Sequence, residues 1–443
     1  MKILPTIGPA TKSKDSIKYI SKICSIVRLN TSHNKIEWHK QIIKTIKNIN
    51  KNIDILVDIP GVKPRTNNLT DIHIKKNQVV KFGYNLKKSL NVINLTKKLP
   101  KKNKNVSKFF TIDDGKIKFK LLSYKKNIII GRAYEDCIIK PRKGVNIPNS
   151  LYDDNSQIKI YENYINQLSE KNLDAVGLSF IQNKNAIIKL KKKFKKLLMV
   201  SKVENTEGLN NVEEICKHSD AIMIDRGDLS AEIGERNLYE AIIKISETAK
   251  KFGKPLIMAT ENLESMFQNK EPSKNDIISL EFSNQINSDI IMLSEETAIS
   301  NRWKEILNWL NTFIKNKKKI SKKRNNEDLF WKKVENIKDH SLVVFTKKGL
   351  MLDKIFNKNI KNDVFVFTDT IKTKTLSNFY KNAKCFLIDR FDNKNISKFY
   401  FKNIKKYKKI IFQKSNNVFL ISISFPKKGS KANSLSLINK NDF

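Results

Sequence analysis

Cysteine is sparse in this chain: four residues, Cys24, Cys137, Cys216 and Cys385, lie far apart along 443 positions. That spacing excludes a local zinc or redox motif and fits a reducing cytoplasm. Long apolar runs are missing too. No stretch approaches the ~20 apolar residues that span a bilayer, and Met1-Lys2-Ile3-Leu4-Pro5-Thr6 leads into a strand-like segment without the apolar core of an export signal. Neither export nor a membrane partner is expected. Acid is also short, with 44 Asp and Glu facing 86 Lys and Arg, a net charge of +42. Such an excess attracts polyanions. Lys, Asn and Ile are abundant along the whole length, however, and no detachable basic tail stands out. The charge is therefore expected to form a solvated surface, with no specific nucleic-acid partner. No internal repeat is visible.

What is present is enough apolar material, 40% of residues against 29% charged, for packed globular units. The length exceeds the roughly 100–200 residues usual for one domain. Short apolar runs ending in polar or Gly residues alternate with longer amphipathic stretches, the pattern of a parallel α/β fold. Eight runs can be counted: Lys2–Thr6, Ile26–Asn30, Ile53–Ile59, Asp174–Phe180, Leu197–Glu204, Ala221–Asp228, Pro255–Thr260 and Asp289–Ser294. Eight is the strand number of a closed (β/α)8 TIM barrel. The rhythm breaks between Ile59 and Asp174. There, alternating patterns at Asp71–Gly83 and Phe109–Pro148 predict a small inserted β-barrel lid domain above the barrel mouth. The basic stretch Lys315–Arg324 marks a linker. A new alternation follows at Ser341–Thr346, Asp363–Thr368, Lys384–Asp389, Lys409–Gln413 and Val418–Phe425. The expected organisation is a barrel over 1–65 and 148–314, a lid over 66–147 and a C-terminal α/β domain over 325–443.

In such a barrel, chemistry sits at the C-terminal ends of the strands. The second run ends Val27-Arg28-Leu29-Asn30, where a period of two puts Arg28 and Asn30 on one face, followed by Thr31, Ser32 and His33. The fifth ends Ser201-Lys202-Val203-Glu204, which places Lys202 and Glu204 together, and the sixth ends Asp225-Arg226-Gly227-Asp228 before a predicted helix. As ends of adjacent strands, Glu204 and Asp228 can share a hard divalent cation, which prefers carboxylate oxygens, with Lys202 facing the same pocket. Phosphoryl transfer needs neutralised charge around the moving group more than covalent chemistry, and a lysine beside a carboxylate-held metal supplies it. The amides after Gly227, at a helix start, suit a carboxylate or phosphate, and Thr260 ends an apolar strand with a hydroxyl. Each feature alone has a structural alternative, since buried Lys–Glu pairs and strand-end aspartates hold many barrels together. Joint placement at successive strand ends favours the functional reading.

Over roughly 1–312 these residues resemble signatures of the pyruvate kinase family, in the same order. The segments are Thr6-Ile7-Gly8-Pro9, Arg28-Leu29-Asn30-Thr31-Ser32-His33, Asp113-Asp114-Gly115, Lys143-Gly144-Val145-Asn146-Ile147-Pro148, Ser201-Lys202-Val203-Glu204-Asn205-Thr206-Glu207-Gly208 and Arg226-Gly227-Asp228-Leu229. The resemblance implies phosphoryl transfer from phosphoenolpyruvate to ADP, giving pyruvate and ATP, by a cytoplasmic Mg²⁺-dependent homotetramer. It also implies roles. Arg28 would bind phosphoenolpyruvate, Lys202 would stabilise the moving phosphoryl, Glu204 and Asp228 would hold Mg²⁺, and Gly227, Asp228 and Thr260 would contact the substrate. Asn30, Thr31, Ser32, His33, Arg65 and Lys143 would serve the nucleotide. Asn30, Ser32, Asp58 and Ile59 match the family's K⁺ site, but members that require K⁺ usually carry Glu where this chain has Lys63. Lysine there, and the missing hydroxyl at Ile59, point to an enzyme that does not need K⁺.

Departures from the family pattern lie at Ile59, where Thr is usual; at Asp225, which replaces a small residue beside the substrate carboxylate; at Glu261 for Gln; and at Ser279 and Phe282 for Asp and Asn. None touches Lys202, Glu204, Asp228, Arg28, Arg65 or Thr260, so an active enzyme is expected over a degenerate homologue. A different phosphoenolpyruvate- or pyruvate-binding barrel is disfavoured by Arg65, Lys143 and the lid. A basic nucleic-acid-binding protein would not need the metal carboxylates.

Overall fold

The computed structural model describes residues 1–87, 89–316, 329–337, 340–358, 360, 362–391, 396–422 and 434–443. Eight parallel strands, Lys2–Pro5, Ile26–Asn30, Asp54–Ile59, Ala175–Leu178, Leu198–Val203, Ala221–Asp225, Leu256–Ala259 and Ile290–Leu293, alternate with helices. Each pairs with its neighbour in sequence from the second to the eighth, and the eighth pairs with the first. The remaining seam closes through a bridge of Thr6 with Arg28, where the Ile7 amide donates to the Arg28 carbonyl at 2.9 Å. The expected (β/α)8 barrel is therefore present.

Alternation along each strand sorts its side chains between two apolar layers. In Asp54–Ile59, Leu56 joins the plug inside the barrel, whereas Ile55, Val57 and Ile59 join the layer beneath the helices. In Leu198–Val203, Leu198 and Val200 point inward, and Met199 and Val203 outward. In Ala221–Asp225, Ala221 and Met223 are inside. The next inward positions up these three strands are Asp58, Lys202 and Asp225, so the period of two sets three charged residues on a dry apolar floor. The helices that hold the wall follow ordinary rules. Lys14–Ile23 starts at Ser13, whose hydroxyl accepts the Ser16 amide at 3.1 Å, and buries Ile17 and Ile20. Lys274–Gln285 starts with a reciprocal Ser273–Asp276 capping box.

Between the third and fourth barrel strands the chain forms a six-stranded sheet, ordered Val145–Asn146, Phe109–Ile112, Ile117–Lys125, Ile128–Ala133, Val79–Tyr84 and Val92–Leu95, with a separate ribbon of Ile72–Ile74 and Cys137–Ile139. Its core is aromatic, with Phe110 and Phe119 stacked at 5.2 Å and Phe82 edge-on to both. The strand Val92–Leu95 was not expected from the sequence.

The C-terminal sheet runs Ala383–Leu387, Val364–Thr368, Ser341–Phe345, Asn417–Ser422 and Ser434–Asn439; its last pairing is antiparallel and the others parallel. One expectation fails here, and one strand was not expected. Lys409–Gln413 is not a strand, because Lys408–Ile411 is a helical turn that follows the amphipathic helix Ile396–Lys406. An apolar run of three residues, Ile410-Ile411-Phe412, is too short for its period to separate strand from helix. Ser434–Asn439 is a strand that was not expected, although Ser434-Leu435-Ser436-Leu437 alternates; Leu435 and Ile438 pack against the two faces' cores and Leu437 is exposed. In the expected linker Lys315–Arg324, Lys315 and Asn316 still belong to helix Trp303–Asn316, and 317–324 lie outside the described residues. Among the described residues no helix is long and apolar enough to cross a membrane.

Candidate active site

At the C-terminal mouth of the barrel the inward charges meet. Arg28 pairs with Asp58 through Nη2 at 2.6 Å and Nε at 3.0 Å, and its Nη1 donates to Thr6 Oγ1 at 3.0 Å and Ser294 Oγ at 3.4 Å. Lys202 Nζ lies 2.8 Å from Glu204 Oε1, 3.2 Å from Asp58 Oδ2 and 3.3 Å from Asp225 Oδ2. Arg28, Asp58, Lys202, Glu204 and Asp225 are all buried. Burial acts to neutralise Lys202, but Asp58, Glu204 and Asp225 overcome it and hold the ammonium well above its usual pKa. Burial works against the Asp58 carboxylate too, and Lys202 with Arg28 keeps it below the ordinary range. Glu204 goes the other way: burial raises its pKa, Lys202 opposes this, and Asp228 and Asp225 add to it. One Glu204 oxygen, Oε2, accepts the Phe180 amide at 2.6 Å. The other, Oε1, is buried and lies 2.8 Å from Lys202 Nζ.

Helix Arg226–Ile233 begins directly after the sixth strand, so Gly227 and Asp228 occupy its first turn. The Gly227 amide points at Thr260 Oγ1 at 3.4 Å, and that hydroxyl contacts Asp225 Oδ1 at 3.3 Å. Thr260 has φ +60°, an uncommon conformation for a β-branched residue. Its carbonyl and the Asn262 side chain both receive the Arg226 guanidinium. Arg226 also donates to Ser279 Oγ at 2.5 Å, so Ser279 meets a guanidinium and not the open mouth. Glu261 Oε2 lies 3.9 Å from Arg226 Nε. Oxygens of Glu204, Asp225 and Asp228 lie within 4.8 Å of one another, a set that fits a hard divalent cation.

Lys63, weighed from sequence only as a stand-in for K⁺, is buried and ion-paired with Asp228, with Asp114 from the inserted sheet at 3.6 Å. Gly144 makes room for it, since a Cβ there would sit 2.6 Å from Lys63 Cε. Gly177 does the same for Asp58, whose Oδ1 would be 3.1 Å from an added Cβ. Ser179 was missed, although it ends the fourth run, where the strand-end rule directs attention; its hydroxyl lies 3.3 Å from Asp58 Oδ1 and 3.5 Å from Lys202 Nζ.

Other sequence-selected residues are not gathered at this centre. The Asn30 amide oxygen accepts the Ser32 amide at 3.0 Å, while the Thr31 hydroxyl donates to the Asp58 carbonyl at 2.9 Å. His33 is exposed at the surface, yet partial desolvation, then Arg65 and Arg28, hold its imidazole below the ordinary pKa. Arg65 is exposed and donates to the Arg142 carbonyl at 3.1 Å, and Lys143 pairs with Asp113 at 2.7 Å. The Ile59 side chain faces away from the mouth into the helix layer. A hydroxyl on that side chain would not reach a cation in the mouth, so the missing hydroxyl carries no argument about K⁺.

Comparison with known proteins agrees with this architecture. A sequence model described as the barrel domain of pyruvate kinase matches residues 1–305. The pyruvate kinase of Buchnera aphidicola subsp. Schizaphis graminum is 34% identical over 316 residues, covering 67% of this chain and 65% of the relative. That of Encephalitozoon cuniculi is 30% identical over 307 residues, covering 67% and 71%. Across the first curated relatives the matched part spans between 54% and 71% of the relative's length. In three dimensions the chain is similar to the crystal structure of pyruvate kinase from Pyrobaculum aerophilum, with a TM-score of 0.79 and 20% identity over 99% of this chain and 98% of that one. At that identity the likeness speaks for the fold alone.

Proposed function

The chain belongs to the pyruvate kinase family, and on that premise we propose that it transfers the phosphoryl group of phosphoenolpyruvate to ADP, giving pyruvate and ATP. The observation that carries the proposal is Lys202, a buried ammonium kept charged by three carboxylates at the barrel mouth beside a second fixed cation, Arg28. Arg28 and Lys202 hold the phosphoryl group and neutralise charge that builds as it moves, with little reorganisation because Asp58 braces both. The Gly227 amide and the Thr260 hydroxyl orient the carboxylate end of the substrate. Glu204, with Asp228, would hold Mg²⁺, which when bound supplies further positive charge to the phosphoryl oxygens. Arg65 and Lys143, together with Asn30 to His33, serve the nucleotide. The free thiols among the described residues fit a reducing cytoplasm as the compartment, and a homotetramer is the expected assembly. Pyruvate formation from phosphoenolpyruvate and ADP, measured in a coupled assay with and without Mg²⁺, tests the reading. Turnover that needs Mg²⁺ supports it, and no turnover with both substrates saturating overturns it.

The buried Lys63 ammonium supports independence from K⁺, because a fixed charge takes over the neutralising work of a bound ion. The wild type is expected to keep its rate when K⁺ is replaced by tetramethylammonium at fixed ionic strength, and Lys63→Glu to become K⁺-dependent. A wild type inactive without K⁺ contradicts this.

A further inference from the structure

Asp225 stands where the family carries a small residue, and the barrel alternation turns it inward. A negative charge there repels an anionic substrate unless something positive offsets it. One oxygen lies 3.3 Å from the Thr260 hydroxyl and the other 3.3 Å from Lys202 Nζ, an ammonium that Glu204 and Asp58 approach more closely, at 2.8 and 3.2 Å. Asp228, by contrast, is already neutralised by Lys63, which Gly144 admits to the site. Glu204, buried like Asp225, has its Oε1 2.8 Å from Lys202 Nζ. Oxygens bound to one octahedral Mg²⁺ at ~2.1 Å stand about 3 Å apart when adjacent and about 4.2 Å when opposite. A cluster with a 4.8 Å spread reaches that geometry through small side-chain movements.

We propose that Asp225 is a third carboxylate ligand of the divalent-cation site, and that Lys63 competes with the cation for Asp228. The inference rests on reading this mouth as the cation site of a phosphoryl transferase. Charge gives it a purpose. Arg28, Lys63 and Lys202 face Asp58, Glu204, Asp225 and Asp228, three cations against four carboxylates. The divalent ion turns an anionic mouth into one that accepts an anionic substrate, and Asp225 compensates by tightening the ion's hold.

The test is Mn²⁺ binding to the substrate-free, metal-stripped protein, followed by the loss of the free-ion electron paramagnetic resonance signal. Asp225→Asn is expected to raise the Mn²⁺ Kd at least fivefold, and a smaller change overturns the ligand assignment. Lys63→Met is expected to lower the Kd at least threefold, and a smaller change overturns the competition. Circular dichroism checks that each variant is folded. Should the amide fail to fold, Asp225→Ala, which restores a small side chain, is titrated in its place against the same threshold. Wild-type turnover is read separately. Turnover with an unchanged Kd in Asp225→Asn sinks this inference and leaves the function standing, whereas absent wild-type turnover sinks the function while the titration still reports on the ligands.

Discussion

The two ends of the barrel both bury charge, but they treat it differently. At the N-terminal end, aspartates that precede strands close their bonds on backbone and on one cation. Asp174 accepts the Ile55 amide at 2.9 Å and Lys47 at 2.7 Å, and Asp220 accepts the Met199 amide at 2.8 Å and Lys191 at 2.8 Å. Asp289 accepts the amides of Leu256 at 3.0 Å and Lys381 at 3.3 Å. Asp54 is covered by Thr375 and Asn378 of helix Ile371–Phe379, whose Phe379 also closes the apolar plug. At the C-terminal end the charges face chiefly one another, with Asp58, Glu204 and Asp225 all gathered on Lys202. An end whose polar groups are paired locally secures strand register. An end that gathers several carboxylates around shared buried cations holds strongly perturbed groups such as Glu204, which is the mark of a working site.

Substitutions at the two ends should therefore fail in different ways. The largest effect is expected at the mouth: Lys202→Met should cut turnover by about 10²–10³ in protein that is still folded by circular dichroism, since electrostatic groups in a transition state carry that weight. The urea midpoint should fall as well, because buried Asp58, Glu204 and Asp225 lose their shared counter-ion. Full turnover in this variant would remove Lys202 from the mechanism. At the opposite end, Asp289→Ala should leave kcat near wild type and cost about 1–3 kcal/mol of stability, because the buried Leu256 amide loses its acceptor. An unfolding curve superimposable on wild type would deny the structural role, and a selective loss of kcat would erase the contrast between the ends.

A smaller effect is expected at Glu232, in the mouth helix, which accepts Asn146 of the inserted sheet at 3.2 Å. Burial pushes its carboxyl up to about 7, with the Asn146 bond opposing. A carboxyl raised on folding is neutral in the native state while the unfolded chain has already ionised, so its contribution to stability declines as pH rises from the ordinary value towards 7. Glu232→Gln removes that slope. The variant should gain stability relative to wild type between pH 5 and pH 7.5 in urea titrations, and parallel pH profiles for the two proteins would show that Glu232 is not held neutral.

The alternation of side chains is legible in the sequence. The period of two alone pairs Arg28 with Asn30 and Lys202 with Glu204, and the same rule, applied one residue further, turns Ile59 outward and Asp225 inward. Ser179 carries the same strand-end signal. The C-terminal sheet is less legible, since Lys409–Gln413 offers too short an apolar run to separate helix from strand, and Ser434–Asn439 carries only the brief alternation Ser434-Leu435-Ser436-Leu437.

By itself, then, the sequence determined which side chains of each strand face the barrel interior, because a strand's period is a local property of the backbone. Only the tertiary structure decided which of those side chains meet. Lys63 reaches Asp228 across 165 positions of sequence, through a gap that exists because Gly144 of another sheet lacks a Cβ. The close approach of Asp225, Glu204 and Asp228 depends on strands and a helix start being brought side by side by barrel closure. Such distances are set by how separate segments pack, and no period along one segment encodes them.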